Sequence, residues 1–133
     1  MTPAESGFPR ACRLVRPADF SRVYALRRSA AAGPLVVYAA AQESPGVARI
    51  GFSVSRRIGN AVIRNRWKRR LREAFRRVHG SFPAGHDFVV VVRSGLPQPG
   101  AAGLERTSGS LAALAARAVG RSGSEPSRTP RRP

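Results

Sequence analysis

RIGFSVSRRIGNAVIRNRWKRRLREAF, residues 49–75, carries two different periods joined by a turn. In its first third, Ile50, Phe52 and Val54 alternate with Gly51, Ser53 and Ser55. A strand sends those two sets to opposite faces, so one face of a sheet is apolar and the other small and polar. Gly59 and Asn60 then supply a tight turn and a good N-cap. Beyond them Ile63, Trp67, Leu71, Ala74, Phe75 and Val78 recur at helical spacing, the stripe of an amphipathic helix over residues 60–79.

The other positions of that helix hold its charge. Arg64, Arg66, Lys68, Arg69, Arg70, Arg72, Arg76 and Arg77 flank the stripe, and Glu73 alone opposes them. A helix supported by its own surface would interleave carboxylates one turn away, whereas like charges there repel. The run therefore predicts a face for a polyanion. Asn65 sharpens the reading, because an amide makes directed hydrogen bonds to a base edge or a 2′-hydroxyl. Trp67 belongs to the apolar stripe and is expected to pack inward. A membrane-surface or calmodulin-target role would need that same stripe, which is occupied in covering the sheet.

The whole chain agrees. Lys and Arg number 24 against 7 acidic residues, a net charge of +17 over 133 residues, nearly all of it arginine. Self-repulsion on that scale opposes compaction, and arginine suits phosphate and bases. Cys12 is the single cysteine, so no intrachain disulfide forms, and with His79 and His86 it cannot make a zinc finger. It is expected to be an unremarkable thiol. No window approaches 18 apolar residues and the N-terminus lacks a signal-peptide core, so a soluble, cytoplasmic protein is expected. Paired carboxylates, a Ser/His/Asp or Cys/His pattern and a phosphate-cradling glycine loop are all missing. No catalytic residue is expected on this chain.

Outward from the central stretch, Pro17 and Asp19 open a short helix whose stripe is Phe20, Val23, Tyr24 and Arg27. Gly33-Pro34 breaks the chain. LVVYAAAQ (35–42) reads as a strand, ESPG (43–46) as a turn, and 47–57 as a second strand antiparallel to the first. HDFVVVVRS (86–94) reads as a central strand buried on both sides. A last helix is expected over 104–119, its early part interrupted by Ser108-Gly109-Ser110. Residues 1–16 are expected to be flexible and 120–133 a disordered basic tail, leaving 17–119 as one domain.

Residues 49–75 resemble the protein subunit of bacterial ribonuclease P, with its Gly-x-Ser-Val-Ser strand, basic pair, Gly-Asn turn and Arg-Asn-Arg helix. DFSRVY (19–24), LVVYAA (35–40) and HDFVVVVR (86–93) extend the likeness. The resemblance implies an α/β (α+β) sandwich, ribosomal-protein-like, of a mixed four-stranded sheet and three helices with a left-handed βαβ crossover. The pattern itself displays three strands, and the fourth is expected near Arg49–Ser55 or at the loop edges. The implied function is removal of the 5′ leader of precursor tRNA by a ribonucleoprotein endoribonuclease. Its catalytic RNA binds the Mg²⁺, with no membrane and no obligate protein partner. By resemblance, Arg64, Asn65, Arg66, Lys68, Arg69, Arg70 and Arg72 would meet the RNA subunit, with Asn60 shaping the turn before them. Phe20, Tyr24, Tyr38, Ser53, Ser55 and Arg57 would receive the leader. A ribosomal or assembly protein using the same helix is the rival reading. A helix-turn-helix DNA binder is more remote, since the basic helix lacks a preceding short helix.

Overall fold

The computed structural model describes residues 12–26, 28–43 and 46–120. Its elements are α1 (Pro17–Ala25), β1 (Arg28–Ala32), β2 (Leu35–Ala41), β3 (Arg49–Val54), α2 (Ala61–Val78), β4 (His86–Val92) and α3 (Gly100–Gly120). The strands form one sheet in the order β1-β2-β4-β3. β4 sits inside it, antiparallel to β2 and parallel to β3, as its valine run requires. The parallel pair is connected through α2.

Sheet parity separates two cores. Val37 and Ala39 of β2, Ile50 of β3, and Phe88, Val90 and Val92 of β4 face α2 and α3. There they pack with Trp67, Leu71, Phe75, Leu111 and Leu114. Val36, Tyr38, Ala40, Val89 and Val91 face the other way, toward α1, with Leu14 and Val23. The first core is covered by two long helices. The second is covered by one helix of 9 residues.

Several expectations are corrected. The fourth strand is Arg28–Ala32, paired antiparallel with β2 across the Gly33-Pro34 turn. Its sequence, RSAAA, lacks strand-forming side chains, so its pairing with β2 rather than its own propensity makes it a strand. β3 opposes β2 in direction but does not pair with it, because β4 lies between them. It is also shorter than expected, ending at Val54, and Arg56–Ile58 form a 3-10 turn. α3 begins at Gly100 and runs unbroken through Ser108-Gly109-Ser110. The Ser108 hydroxyl donates back to the carbonyl of Leu104 at 2.9 Å, which satisfies it inside the helix.

The packed chain also reaches upstream of Pro17. Leu14 is buried and its N–H donates to the Ile50 carbonyl at 3.0 Å. Cys12 is partly buried against the larger core, and burial pushes its thiol pKa up, away from reactivity. Arg27, the Ser44-Pro45 part of the predicted turn and the predicted tail beyond Gly120 lie outside the described residues.

Candidate RNA interface

The N-terminus of α2 is built as its sequence foretold. Asn60 is the N-cap, its Oδ1 accepting the Ile63 N–H at 3.1 Å. Gly59 suits the turn, because a Cβ there would sit only 3.0–3.1 Å from the Ile63 side chain. Arg64 Nε donates to the Gly59 carbonyl at 3.3 Å, tying the turn to the helix. Trp67 is 2% exposed, and its Nε1 donates to the Gly95 carbonyl at 2.9 Å, so the one tryptophan is committed to the core.

Outside that stripe, Asn65, Arg66, Arg69, Arg72 and Arg77 are exposed, while Arg64, Lys68, Arg70 and Arg76 are half-buried. Arg70 leans on α3 through a 3.4 Å hydrogen bond to Thr107 Oγ1. Arg66, Arg69, Arg70 and Glu73 border a hollow closed by Pro97 and Pro99. These cationic residues all lie on the flanks of α2 outside its buried stripe. Arginines on successive turns present phosphate-binding forks along roughly 1.5 Å per residue of helix.

The α1 face of the sheet holds the second residue group. Tyr38, Val89 and Gly51 are lateral neighbours across β2, β4 and β3. Over that row stands α1: Tyr24 meets Tyr38 edge to face at 5.0 Å, and Phe20 lies against Gly51. A Cβ at Gly51 would collide with the Phe20 ring, so glycine is what lets the helix come down on the strand. The next row is Val36, Val91 and Ser53, about 7 Å along the strands.

Phe20, Tyr24 and Ser53 are half-buried along one strip on this face of the sheet, and Arg57, in the 3-10 turn just past β3, is exposed. Tyr38 differs, being 6% exposed, and forms the floor under Tyr24. Ser55 is also partly engaged, because its Oγ accepts the Arg57 N–H at 3.3 Å and caps the 3-10 turn.

A buried polar node, which sequence reading missed, closes the far end of this strip. Asp87 of β4 is fully buried. Its Oδ1 accepts from Arg49 Nε and Gln42 Nε2, each at 2.9 Å, and its Oδ2 accepts from Arg49 NH2 at 2.7 Å and from Arg22 NH2. Burial alone would raise the Asp87 pKa. The hydrogen bonds from Arg49 and Gln42 and the charges of Arg49 and Arg22 outweigh it and hold the carboxyl below its ordinary value. The donors come from α1, β3 and the end of β2, and this sequence separation hid the node. Among the described residues, no three His, Cys, Asp or Glu side chains converge as a metal site.

A small α+β domain with a cationic helix on one side of its sheet and an aromatic strip on the other is the class that fold and site define. The family model described as Ribonuclease P matches residues 8–118, and the chain belongs to that family. It is 44% identical over 87 residues to the ribonuclease P protein component of Brevibacillus brevis, covering 65% of this chain and 69% of that protein. The solved RNase P protein of Staphylococcus aureus is 34% identical, with a TM-score of 0.58 over 79% of this chain and 93% of that one. The RNase P protein from Thermotoga maritima is 35% identical, with a TM-score of 0.54 over 61% and 73%. The mixed sheet with three helices is the fold of these proteins.

Proposed function

We propose that this chain serves a cytoplasmic ribonuclease P holoenzyme by binding two RNAs on two separate surfaces. The outer face of α2 docks on the catalytic RNA subunit. The aromatic strip under α1 holds the single-stranded 5′ leader of precursor tRNA. The observation that carries this reading is the segregation itself. The cationic face lies outside the larger core, while the exposed parts of Phe20, Tyr24 and Ser53 lie on the opposite side of the sheet.

Each surface suits its RNA. Arg66, Arg69 and Arg72 project from a helix locked by Trp67, so the backbone that carries them need not be ordered on meeting a folded phosphate backbone. Asn65 adds a directed donor and acceptor beside them. Phe20 and Tyr24 offer ring faces and edges that accept any base, a sequence-tolerant contact of about 1–3 kcal/mol per base. Arg57 neutralises phosphate where the strip opens to solvent.

Hydrolysis of the phosphodiester would be supplied by Mg²⁺ held in the RNA subunit, which polarises the phosphate and activates water. The protein's part is to hold the leader and offset phosphate repulsion, so that substrate engages at low Mg²⁺. The test is reconstitution with a bacterial ribonuclease P RNA, measuring precursor tRNA cleavage at limiting Mg²⁺. Strong stimulation over the RNA alone is expected, and no stimulation would overturn the proposal.

A further inference from the structure

α1 carries the two half-buried aromatics of the leader strip, and it is a short helix of 9 residues. It has no side-chain N-cap, and Val23 is its single buried residue. Arg22, which lies between Phe20 and Tyr24 in sequence, ties it to the sheet by its side chain. Arg22 uses both ends of its fork: NH1 donates to the Ala41 carbonyl at 3.1 Å, and NH2 donates to the Asp87 carboxylate. Asp87 is in turn immobilised by Arg49 and Gln42. Gln42 further donates to the carbonyls of Val47 and His86 at 2.9 and 3.1 Å, so the anchor is rigid.

We infer that Arg22 is a positioning residue for the leader strip: its two-point clamp sets where Phe20 and Tyr24 stand over Gly51 and Tyr38. The inference rests on the leader-binding reading above. A direct contact between Arg22 and leader phosphate is the competing role, and the surroundings oppose it. The cavity beside Arg22, about 510 Å³, is lined by Asp19 and Glu43 as well as Arg22 and Arg49. With Asp87 behind them, three carboxylates face two guanidinium groups. Locally the acids outnumber the bases, so that corner is a poorer phosphate site than the outer face of α2, where Glu73 alone opposes the arginines. Both ends of the Arg22 fork already donate within the fold, to Ala41 and to an Asp87 shared with Arg49, and what it offers the strip is geometry.

Arg22→Lys and Arg22→Gln separate the two roles. Lysine keeps the charge but has no planar fork to bridge a carbonyl and a carboxylate at once. In holoenzyme reconstituted with a bacterial ribonuclease P RNA, dissociation constants are measured for leader-bearing and mature tRNA across a salt series. Both variants should reduce the leader preference about five- to tenfold, the loss of roughly one well-stacked base. Their salt slopes and their affinity for the RNA subunit should equal the wild type's. Emission from Trp67, on the far side of the sheet, checks that the main core is intact.

Full retention of the preference by Arg22→Lys, or a salt slope lowered by a whole ion in Arg22→Gln, would overturn the positioning role. A wild type that binds both tRNAs equally would instead remove the leader reading, and this inference with it.

Discussion

Phe20 rests on the bare backbone of Gly51, and the two residues set how closely α1 approaches the edge strand β3. Gly51→Ala inserts a methyl group where the ring now lies, and Leu14 Cβ, 3.1 Å from the same point, blocks the other escape. The substitution should cost about 1–3 kcal/mol by overpacking. Leader-bearing tRNA should bind more weakly while the RNA subunit binds as before. Urea unfolding and the two binding constants check both statements.

Arg69 sits on the outer face of α2 with no hydrogen bond or ion pair among the described residues. Arg69→Ala should weaken binding to the RNA subunit and lower the slope of log K against log salt by roughly 0.7–0.9. Folding stability should barely change. Arg64→Ala should weaken RNA-subunit binding too, but it also breaks the bond to Gly59, so a stability loss should accompany it.

Trp67 distinguishes packing from base stacking. Trp67→Phe deletes the N–H that reaches the Gly95 carbonyl and should cost about 1 kcal/mol, whereas Trp67→Ala should cost about 3–5 kcal/mol. If the ring were a stacking platform, RNA affinity would fall without a matching loss of stability. Thermal unfolding and RNA binding, measured on the same samples, decide between them.

Asp87 makes a pH-dependent contribution with a definite sign. Its folded pKa is lowered below the ordinary 3.8, so its contribution is complete well above that value. The contribution is lost as the pH falls through the lower, folded value. Denaturant unfolding should show this node intact from neutrality to about pH 5 and weakening below. Asp87→Asn should be less stable at neutral pH by about 1–3 kcal/mol, because two partly solvated arginines lose their shared charged partner. That gap should narrow in acid.

The strand, turn and helix of residues 49–78 were legible because each announces itself within a few residues: alternation, Gly59-Asn60, then the stripe of Ile63, Trp67 and Leu71. β1 was not, since Arg28–Ala32 becomes a strand only by pairing with β2. The cationic half of the site was readable for the same local reason. The aromatic half came from family likeness, because Tyr38 and Phe20 carry no sign of sharing a surface until the sheet is folded. The Asp87 node was illegible. Arg22 and Arg49 stand 65 and 38 residues from it, and in a sequence with 24 bases neither is conspicuous.

The central claim is that two RNAs occupy opposite sides of one small sheet. Photocrosslinkers at positions 69 and 53, placed one at a time in reconstituted holoenzyme with labelled precursor tRNA, test it most directly. The account predicts that position 69 captures the catalytic RNA subunit and position 53 the 5′ leader. Capture of the same RNA from both positions, or of the leader from position 69, would contradict it.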